Sequence, residues 1–367
     1  GDVDNDGRLD LLVADMAATT REKDQRGMAK IRALHDSAPE QPGEIFQFMR
    51  SMLFLGTGTP QLREGGYLAG VAATDWTWSV RFEDFDNDGR VDLFITNGMV
   101  RELHNADLVQ DISASETLAA GVRLEKSAPL LREANRAYRN EGGMQFREVR
   151  AAWGLGQEGV SFGAATGDFD GDGDLDLIYG NYESGPTVLR NDSATGHRLV
   201  VALRGTESNR FGAGATVRIK SASGLQVRTL VLARGYLSTS EPILHFGLGE
   251  DPVIEELSVE WPSGHRQSFR NLAVDRKLTI TEPTGPARPT PPPPVTPGLF
   301  EPAPVSLVAH EQPEPDASPQ ALIPFRFDRR GPALAVWPQS GHETLLLGGT
   351  TKDPLQGFAP DPLDDGP

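Results

Sequence analysis

Three short acidic segments with identical internal spacing constrain this chain more than any other feature. They read DVDNDGRLD, DFDNDGRVD and DFDGDGDLD, and they begin at Asp2, Asp84 and Asp168. Each segment has aspartate at its positions 1, 3, 5 and 9 and glycine at position 6. Carboxylates this close repel one another, and a folded protein tolerates them mainly when a cation lies among them. The repeated spacing therefore predicts three metal-binding loops.

The ion that suits such loops is Ca²⁺, a hard cation that takes about six to eight oxygen ligands at about 2.3–2.6 Å. We expect carboxylates from positions 1, 3, 5 and 9, a backbone carbonyl from position 7, and a sharp turn at the glycine. The predicted ligands are Asp2, Asp4, Asp6, Arg8 and Asp10 in loop 1, Asp84, Asp86, Asp88, Arg90 and Asp92 in loop 2, and Asp168, Asp170, Asp172, Asp174 and Asp176 in loop 3.

An EF-hand shares the first ligand positions of these loops but needs a glutamate at position 12 and a helix on each side. Position 12 is Val13, Ile95 or Tyr179 here. Each loop is followed by a short apolar segment (LLVAD, LFITN or LIYGN), and the segments TWSVRFE and VSFGAATG precede the second and third loops. These segments are typical of buried strands, so the predicted unit is strand, calcium loop, strand.

The distance between repeats indicates insertions. Equivalent loop positions lie 82 and then 84 residues apart, whereas a propeller blade takes about 40–50 residues. The segments over about 17–51 and 101–136 are rich in Ala, Glu, Lys, Arg and Leu, and we predict that both are helical insertions. Without them the repeats are 47 and 48 residues long, the length of one four-stranded blade.

Helix boundaries in the second insertion are suggested by its polar residues. Ser113 with Glu116 has the spacing of a capping box, and Ser127 with Pro129 would begin a further helix that ends at Gly142.

The segment over 195–283 has alternating strand patterns and none of the acidic loops. TVRIK and LQVRTLVL flank the turn SASG, and IEELSVEW and RQSFRNL flank PSG, which predicts β-hairpins of a small antiparallel sandwich. Its own alternating core pattern leads us to expect that it folds independently. Residues 284–304 include PTPPPP and predict a polyproline II linker.

Several segments of the sequence resemble those of known protein families. SFGAATGDFDGDGDLDLIYG is similar to the FG-GAP/VCBS repeat of calcium-binding β-propellers. RLVVALRGTESNRFGAGATVRI, LHFGLGE and VEWPSG resemble the ASPIC/UnbV domain. The resemblance implies propeller blades over 1–194 and an ASPIC/UnbV sandwich over 195–283. Residues 305–367 resemble the start of a second propeller, but VWPQSGHET stands there in place of an acidic loop, so calcium is not expected in that blade.

The predicted fold class is therefore all-β: a partial calcium-binding β-propeller with helical insertions, followed by an antiparallel β-sandwich and the start of a second degenerate propeller.

The net charge of −17 argues against nucleic acid as a partner. The chain has no cysteine, which excludes disulfides and thiolate catalysis. No apolar segment is long enough to span a membrane.

Catalytic signatures are weak. GVSFG has the form of a nucleophile elbow around Ser161, but that motif needs a helix after the turn, and here a strand and a calcium loop follow. We predict that Ser161 is a strand residue and that the chain has no catalytic residues.

The sequence and its resemblance together predict a secreted or cell-surface calcium-binding protein that acts as a non-enzymatic binding or adhesion scaffold. A signal peptide is expected before Gly1, and the expected partner is a protein or a polysaccharide. The alternative is a propeller enzyme that acts on polysaccharide with catalytic residues outside this sequence. Such an enzyme would bring carboxylates or a histidine from several blades together at one end of the central channel, whereas most clustered carboxylates here lie in the predicted metal loops.

Overall fold

The computed structural model describes most of the first 285 residues and three strands near the carboxyl end. The described residues are 1–27, 49–193, 195–285, 334–339, 342–347 and 356–358. Residues 1–290 form one compact unit and residues 291–367 a second. The predicted proline-rich linker lies outside the described residues from position 286 onwards.

Three antiparallel sheets correspond to the three predicted repeats. Sheet 1 contains β1 (Leu11–Val13), β2 (Met52–Gly56) and β3 (Leu62–Glu64). Sheet 2 contains β4 (Thr77–Glu83), β5 (Asp92–Asn97), β7 (Arg136–Asn140) and β8 (Phe146–Glu148). Sheet 3 contains β10 (Ser161–Gly167), β11 (Asp176–Asn181) and β12 (Thr187–Leu189), while the short strands β6 (Glu133–Ala134) and β9 (Glu158–Gly159) pair with each other. Loops 2 and 3 join antiparallel strands, so the predicted unit of strand, loop and strand is confirmed.

Strand β5 explains how neighbouring sheets pack. All of its residues are buried, although side chains alternate between the two faces of a sheet. Leu93 and Ile95 pack with Leu53 of sheet 1. Phe94 points to the other face, where its ring lies 5.8 Å from that of Tyr179 in sheet 3. The uninterrupted apolar segment LFI therefore reflects a strand that contributes to two cores.

The insertions contain short helices. They are α1 (residues 21–27), α3 (Ala106–Ser113) and α4 (Leu118–Ser127), and a fourth helix, α2 (Gly66–Ala69), lies between β3 and β4. The first insertion was predicted over about 17–51, of which residues 28–48 lie outside the described part of the chain.

The predicted helix boundaries of the second insertion were wrong in two places. The side chain that caps α4 is that of Thr117, which accepts a hydrogen bond from the amide of Ala120, whereas Ser113 is the last residue of α3. No helix begins at Ser127, because the following proline forces Ala128 into an extended conformation (ψ 133°) and the chain continues into β6 and β7.

Replacing Thr117 by alanine should weaken α4, since an N-cap side chain contributes about 1 kcal/mol. We expect the amides of the first turns of α4 to exchange about fivefold faster in Thr117→Ala. Hydrogen exchange measured by mass spectrometry checks this. Ser113→Ala is the matched control, because Ser113 bonds only the carbonyl of Val109 inside α3 and should leave α4 unchanged. Equal acceleration in both variants would contradict the cap assignment.

Residues 197–281 form a two-sheet sandwich. One sheet has the order β16 (Ile243–Gly249), β13 (His197–Arg204) and β19 (Arg276–Thr281). The other has the order β15 (Gly224–Thr229), β14 (Thr216–Ser221), β17 (Val253–Glu260) and β18 (Arg266–Ala273). Their inner faces enclose a core that includes Trp261, Leu199 and Phe246. Both predicted hairpins are confirmed.

The sandwich departs from the sequence-based prediction in two respects. It is not wholly antiparallel, because β13 pairs with β19 in parallel. Parallel neighbours need a long connection, and here the rest of the sandwich provides it. The outer face of the β13 sheet is also buried, since Val200 and Ile243 pack with Leu177 of sheet 3. The sandwich therefore shares a core with the third blade.

The second compact unit contains one described antiparallel sheet. Its strands are β20 (Leu334–Gln339), β21 (His342–Leu347) and β22 (Gln356–Phe358). In the hairpin of β20 and β21, Gln339 lies opposite His342, so the connection is too short for an acidic loop of the kind found in the first unit. The start of a second propeller in this region stays a prediction.

Candidate metal centres

Each acidic loop gathers three carboxylates around one point. Within each group, ligand oxygens lie within 4.8 Å of one another. The groups are Asp2, Asp4 and Asp6 in loop 1, Asp84, Asp86 and Asp92 in loop 2, and Asp168, Asp170 and Asp172 in loop 3. Of the predicted carboxylate ligands, Asp10, Asp88 and Asp176 are not members of these groups, and the carbonyl ligands Arg8, Arg90 and Asp174 stay predictions.

The loops curl because two positions adopt left-handed backbone conformations. Position 6 is the predicted glycine, with φ values of 86° at Gly7, 90° at Gly89 and 93° at Gly173. Position 4 is left-handed as well, with φ values of 56° at Asn5, 59° at Asn87 and 80° at Gly171. Glycine and asparagine tolerate this conformation best. The role of position 4 was missed by the sequence reasoning, although its Asn, Asn and Gly could have indicated it.

The first and last aspartates of each loop also accept backbone hydrogen bonds. In loop 2 the Asp84 carboxylate accepts bonds from the amides of Asp88 (3.2 Å) and Gly89 (2.9 Å). The Asp92 carboxylate accepts one bond from Phe85 in the loop (3.1 Å) and one from Asn140 at the end of β7 (2.8 Å). This last aspartate thus holds the loop against a neighbouring strand.

The last aspartates of the other two loops make the same pair of bonds. Asp10 accepts from the amides of Val3 (2.7 Å) and Gly56 (2.9 Å). Asp176 accepts from Phe169 (2.8 Å) and Asn191 (2.8 Å). Position 9 therefore has a structural role in every loop, whether or not its carboxylate also binds an ion.

The electrostatics of loop 2 favour a bound cation. Burial, and next the charge of Asp88, raises the pKa of Asp84 to about 8. Burial, followed by the charges of Asp84 and Asp86, raises the pKa of Asp92 well above its usual range. A buried oxygen of Asp86, Oδ1, has no hydrogen-bond partner among the described residues. An all-oxygen set with raised pKa values and a free buried oxygen fits a hard cation such as calcium.

Loop 1 shows the same effect more weakly, since burial raises the pKa of Asp2 to about 6. The group in loop 3 is more exposed: Asp170 and Asp172 lie at the surface and Asp168 is half-buried. The three sites therefore share one geometry but differ in burial, and loop 2 is the most buried.

Arginines on neighbouring strands pair with aspartates of loops 2 and 3, and the sequence reasoning missed these pairs. Arg139 on β7 pairs with Asp86 (2.5 Å) and Asp88 (3.1 Å) of loop 2. Arg198 on β13 pairs with Asp174 of loop 3 (2.8 Å). These cations offset part of the negative charge of loops 2 and 3.

A pocket of about 310 Å³ lies at the other end of sheet 2, beside both insertions. Its aromatic wall is Trp76, whose ring centroid is 4.5 Å from that of His104. Its buried carboxylates are all ion-paired. The pairs are Lys23 with Asp75 (2.8 Å) and with Glu133 (3.0 Å), and Arg26 with Glu102 (2.5 Å).

Ser161, the other residue considered for chemistry, is a buried residue of β10. It donates a hydrogen bond to Asn181 (2.9 Å), as predicted for a strand residue.

Comparison with known proteins agrees with the fold and with the repeated loops. The model of the FG-GAP-like repeat matches residues 129–179, and that of ASPIC and UnbV matches residues 205–287. One segment of the chain, which includes loop 3, is thus similar to an FG-GAP-like repeat, and the segment that forms most of the sandwich is similar to the ASPIC and UnbV domain.

The chain is similar to cartilage acidic protein 1. It is 30% identical to the human protein over 203 residues, which cover 54% of this chain and 27% of the relative, and the mouse protein gives the same values. It is 31% identical to the Xenopus tropicalis protein over 185 residues, which cover 49% and 25%. The chain therefore spans about a quarter of the length of these relatives. Among the described residues, no helix has both the length and the apolar character needed to cross a membrane.

Proposed function

We propose that the chain is part of a secreted or cell-surface protein whose blades are stabilised by calcium and which acts as a non-enzymatic binding scaffold. The observation that carries this proposal is the recurrence of one oxygen-only group of carboxylates in three loops of the same geometry. The similarity to cartilage acidic protein 1 supports an extracellular location. Millimolar extracellular calcium would fill even weak sites.

The loops are well placed to stabilise the blades. Loop 2 connects β4 to β5, and loop 3 connects β10 to β11. Bound calcium would neutralise the repelling carboxylates and hold the two strands of each hairpin together. The loops would supply most of the ligands themselves, which leaves little room for a substrate and favours a structural role over a catalytic one.

The pocket beside the two insertions also favours a scaffold over a polysaccharide-degrading enzyme. A glycosidase needs one free carboxylic acid and one free carboxylate on either side of the bond it cleaves. Asp75, Glu102 and Glu133 are each paired with a lysine or an arginine. The partner of the scaffold, a protein or a polysaccharide, is best sought with glycan and protein arrays probed with the full chain.

Asp170→Ala tests the calcium sites. Asp170 belongs to the loop 3 group, so the variant should bind one calcium ion fewer than the parent. Its melting temperature should fall in calcium but stay unchanged in chelator. Calcium stoichiometry by isothermal titration calorimetry, with thermal unfolding in both conditions, provides the measurement.

Asp192→Ala is the matched control, because it removes an exposed aspartate near loop 3 that belongs to no carboxylate group. It should retain the parent stoichiometry. If Asp170→Ala destabilised the protein equally in calcium and in chelator, the assignment of loop 3 as a calcium site would be wrong.

A further inference from the structure

The asparagines at position 4 of loops 1 and 2 connect the three loops to one another. The Asn5 side chain donates a hydrogen bond to the carbonyl of Gly89 in loop 2 (2.9 Å). The Asn87 side chain donates one to the carboxylate of Asp174 in loop 3 (2.9 Å). Each side-chain amide therefore bonds the loop that follows its own loop in the sequence. Loop 3 has Gly171 at this position and therefore has no side chain to extend the series.

Both bonds reach the part of the next loop that bears its predicted carbonyl ligand. Gly89 directly precedes Arg90, and Asp174 is itself the position 7 residue of loop 3. When one loop is ordered, its asparagine holds a residue of the next loop that either bears the predicted carbonyl ligand or directly precedes it. A position that does not belong to any carboxylate group can thereby influence ion binding in the neighbouring loop.

The second connection is buried and has further support. Asn87 is 1% exposed, and its side chain also donates to the carbonyl of Thr195 (3.2 Å). The backbone carbonyl of Asn87 accepts a bond from the amide of Gly249 at the end of β16 (2.8 Å). Arg198 of β13, a strand of the sandwich, pairs with the same Asp174 carboxylate (2.8 Å). Loops 2 and 3 are therefore held together with the edge of the sandwich.

We propose that the three loops bind calcium as one coupled array, and that Asn5 and Asn87 are the positioning residues that couple them. The inference rests on the proposed calcium function. Binding in one loop orders its asparagine and so reduces the ordering cost of the next loop, which produces positive cooperativity. A coupling equal to one buried hydrogen bond changes the affinity of the neighbouring site about fivefold. Because Asn5 is only half-buried, its effect should be smaller than that of Asn87.

Asn87→Gly is the variant that tests the coupling. Glycine keeps the left-handed backbone, as Gly171 does in loop 3, but removes the amide. In calorimetric titration of the full chain with CaCl₂, the parent should show a Hill coefficient above one. Asn87→Gly should bind the same number of ions without cooperativity between loops 2 and 3, and its affinity for the later ions should fall about fivefold. Asn5→Gly should have a smaller effect, and it serves as the second variant if Asn87→Gly does not fold.

The matched control is Asn271→Gly, which makes the same change at another left-handed asparagine (φ 55°), on the exposed surface of β18. It should leave the titration unchanged. Ions that bind the parent independently, or a titration that neither loop variant alters, would overturn the coupling while leaving calcium binding intact. No calcium binding by the parent would overturn the proposed function itself.

Discussion

Asp75→Ala should lower the free energy of unfolding by about 3–5 kcal/mol, the usual cost of removing one partner of a buried ion pair. Asp75 is 2% exposed, and its partners lie in the first insertion and on β7 of sheet 2. Its carboxylate accepts bonds from Arg136 Nε (3.1 Å), Lys23 Nζ (2.8 Å) and the amide of Thr19 (2.9 Å). The variant would leave the Arg136 guanidinium buried with its closest counter-charge removed.

Urea unfolding at neutral pH in chelator measures this loss without a contribution from calcium. Asp111→Ala is the matched control, since Asp111 is an exposed aspartate on α3 in the second insertion and its loss should change stability by less than about 0.5 kcal/mol. Similar small losses in both variants would show that the buried pair does not hold sheet 2 and the first insertion together.

The same carboxylate predicts a dependence of stability on pH. Burial raises the pKa of Asp75, but hydrogen bonds from Lys23, Arg136 and Thr19 outweigh this effect and bring the pKa to about 2. The folded-state pKa is thus below the unfolded value of about 3.9, so the stabilisation is complete above about pH 4 and is lost as pH falls through about 2. The lowered pKa corresponds to about 2.5 kcal/mol of stability. The difference in stability between the parent and Asp75→Ala should therefore shrink between about pH 4 and pH 2.

The local features of the fold follow from the sequence because they depend on short-range geometry. Alternate aspartates with a glycine at position 6 were enough to predict the curled loops, and the apolar segments beside them predicted β4, β5, β10 and β11. The hairpins of the sandwich were predicted by their turn residues in the same way.

Contacts between distant segments were harder to predict. Asn87 and Asp174 are 87 positions apart, and nothing in either loop indicates that one bonds the other. The parallel pairing of β13 with β19 likewise joins the two ends of the sandwich. A signal for the shared core was present, because six of the seven residues of β16 are buried, which is typical of a strand covered on both faces.

Gly247→Ala should separate the sandwich from loop 2 and cost about 1–3 kcal/mol of stability, as overpacking of a close contact does. Gly247 lies on β16, and a Cβ atom added there would overlap the Asp84 carboxylate and lie 2.6 Å from the backbone of Asn87. Its carbonyl accepts a bond from Gln226 Nε2 on β15 (2.7 Å), which limits how far β16 can move away. Loop 2 would therefore have to shift, and we expect its calcium affinity to fall together with the melting temperature.

Gly180→Ala provides the matched control, because Gly180 also lies within a strand, β11, but has no atom within 4 Å of the added Cβ. Thermal unfolding and calcium titration of both variants measure the difference. Gly180→Ala should behave like the parent, whereas Gly247→Ala should lose stability in chelator and lose calcium affinity at one site. Loss of stability with unchanged calcium affinity would mean that the sandwich packs against loop 2 without influencing its ligand geometry. Unchanged stability and affinity would mean that the sandwich and loop 2 are not in close contact in solution.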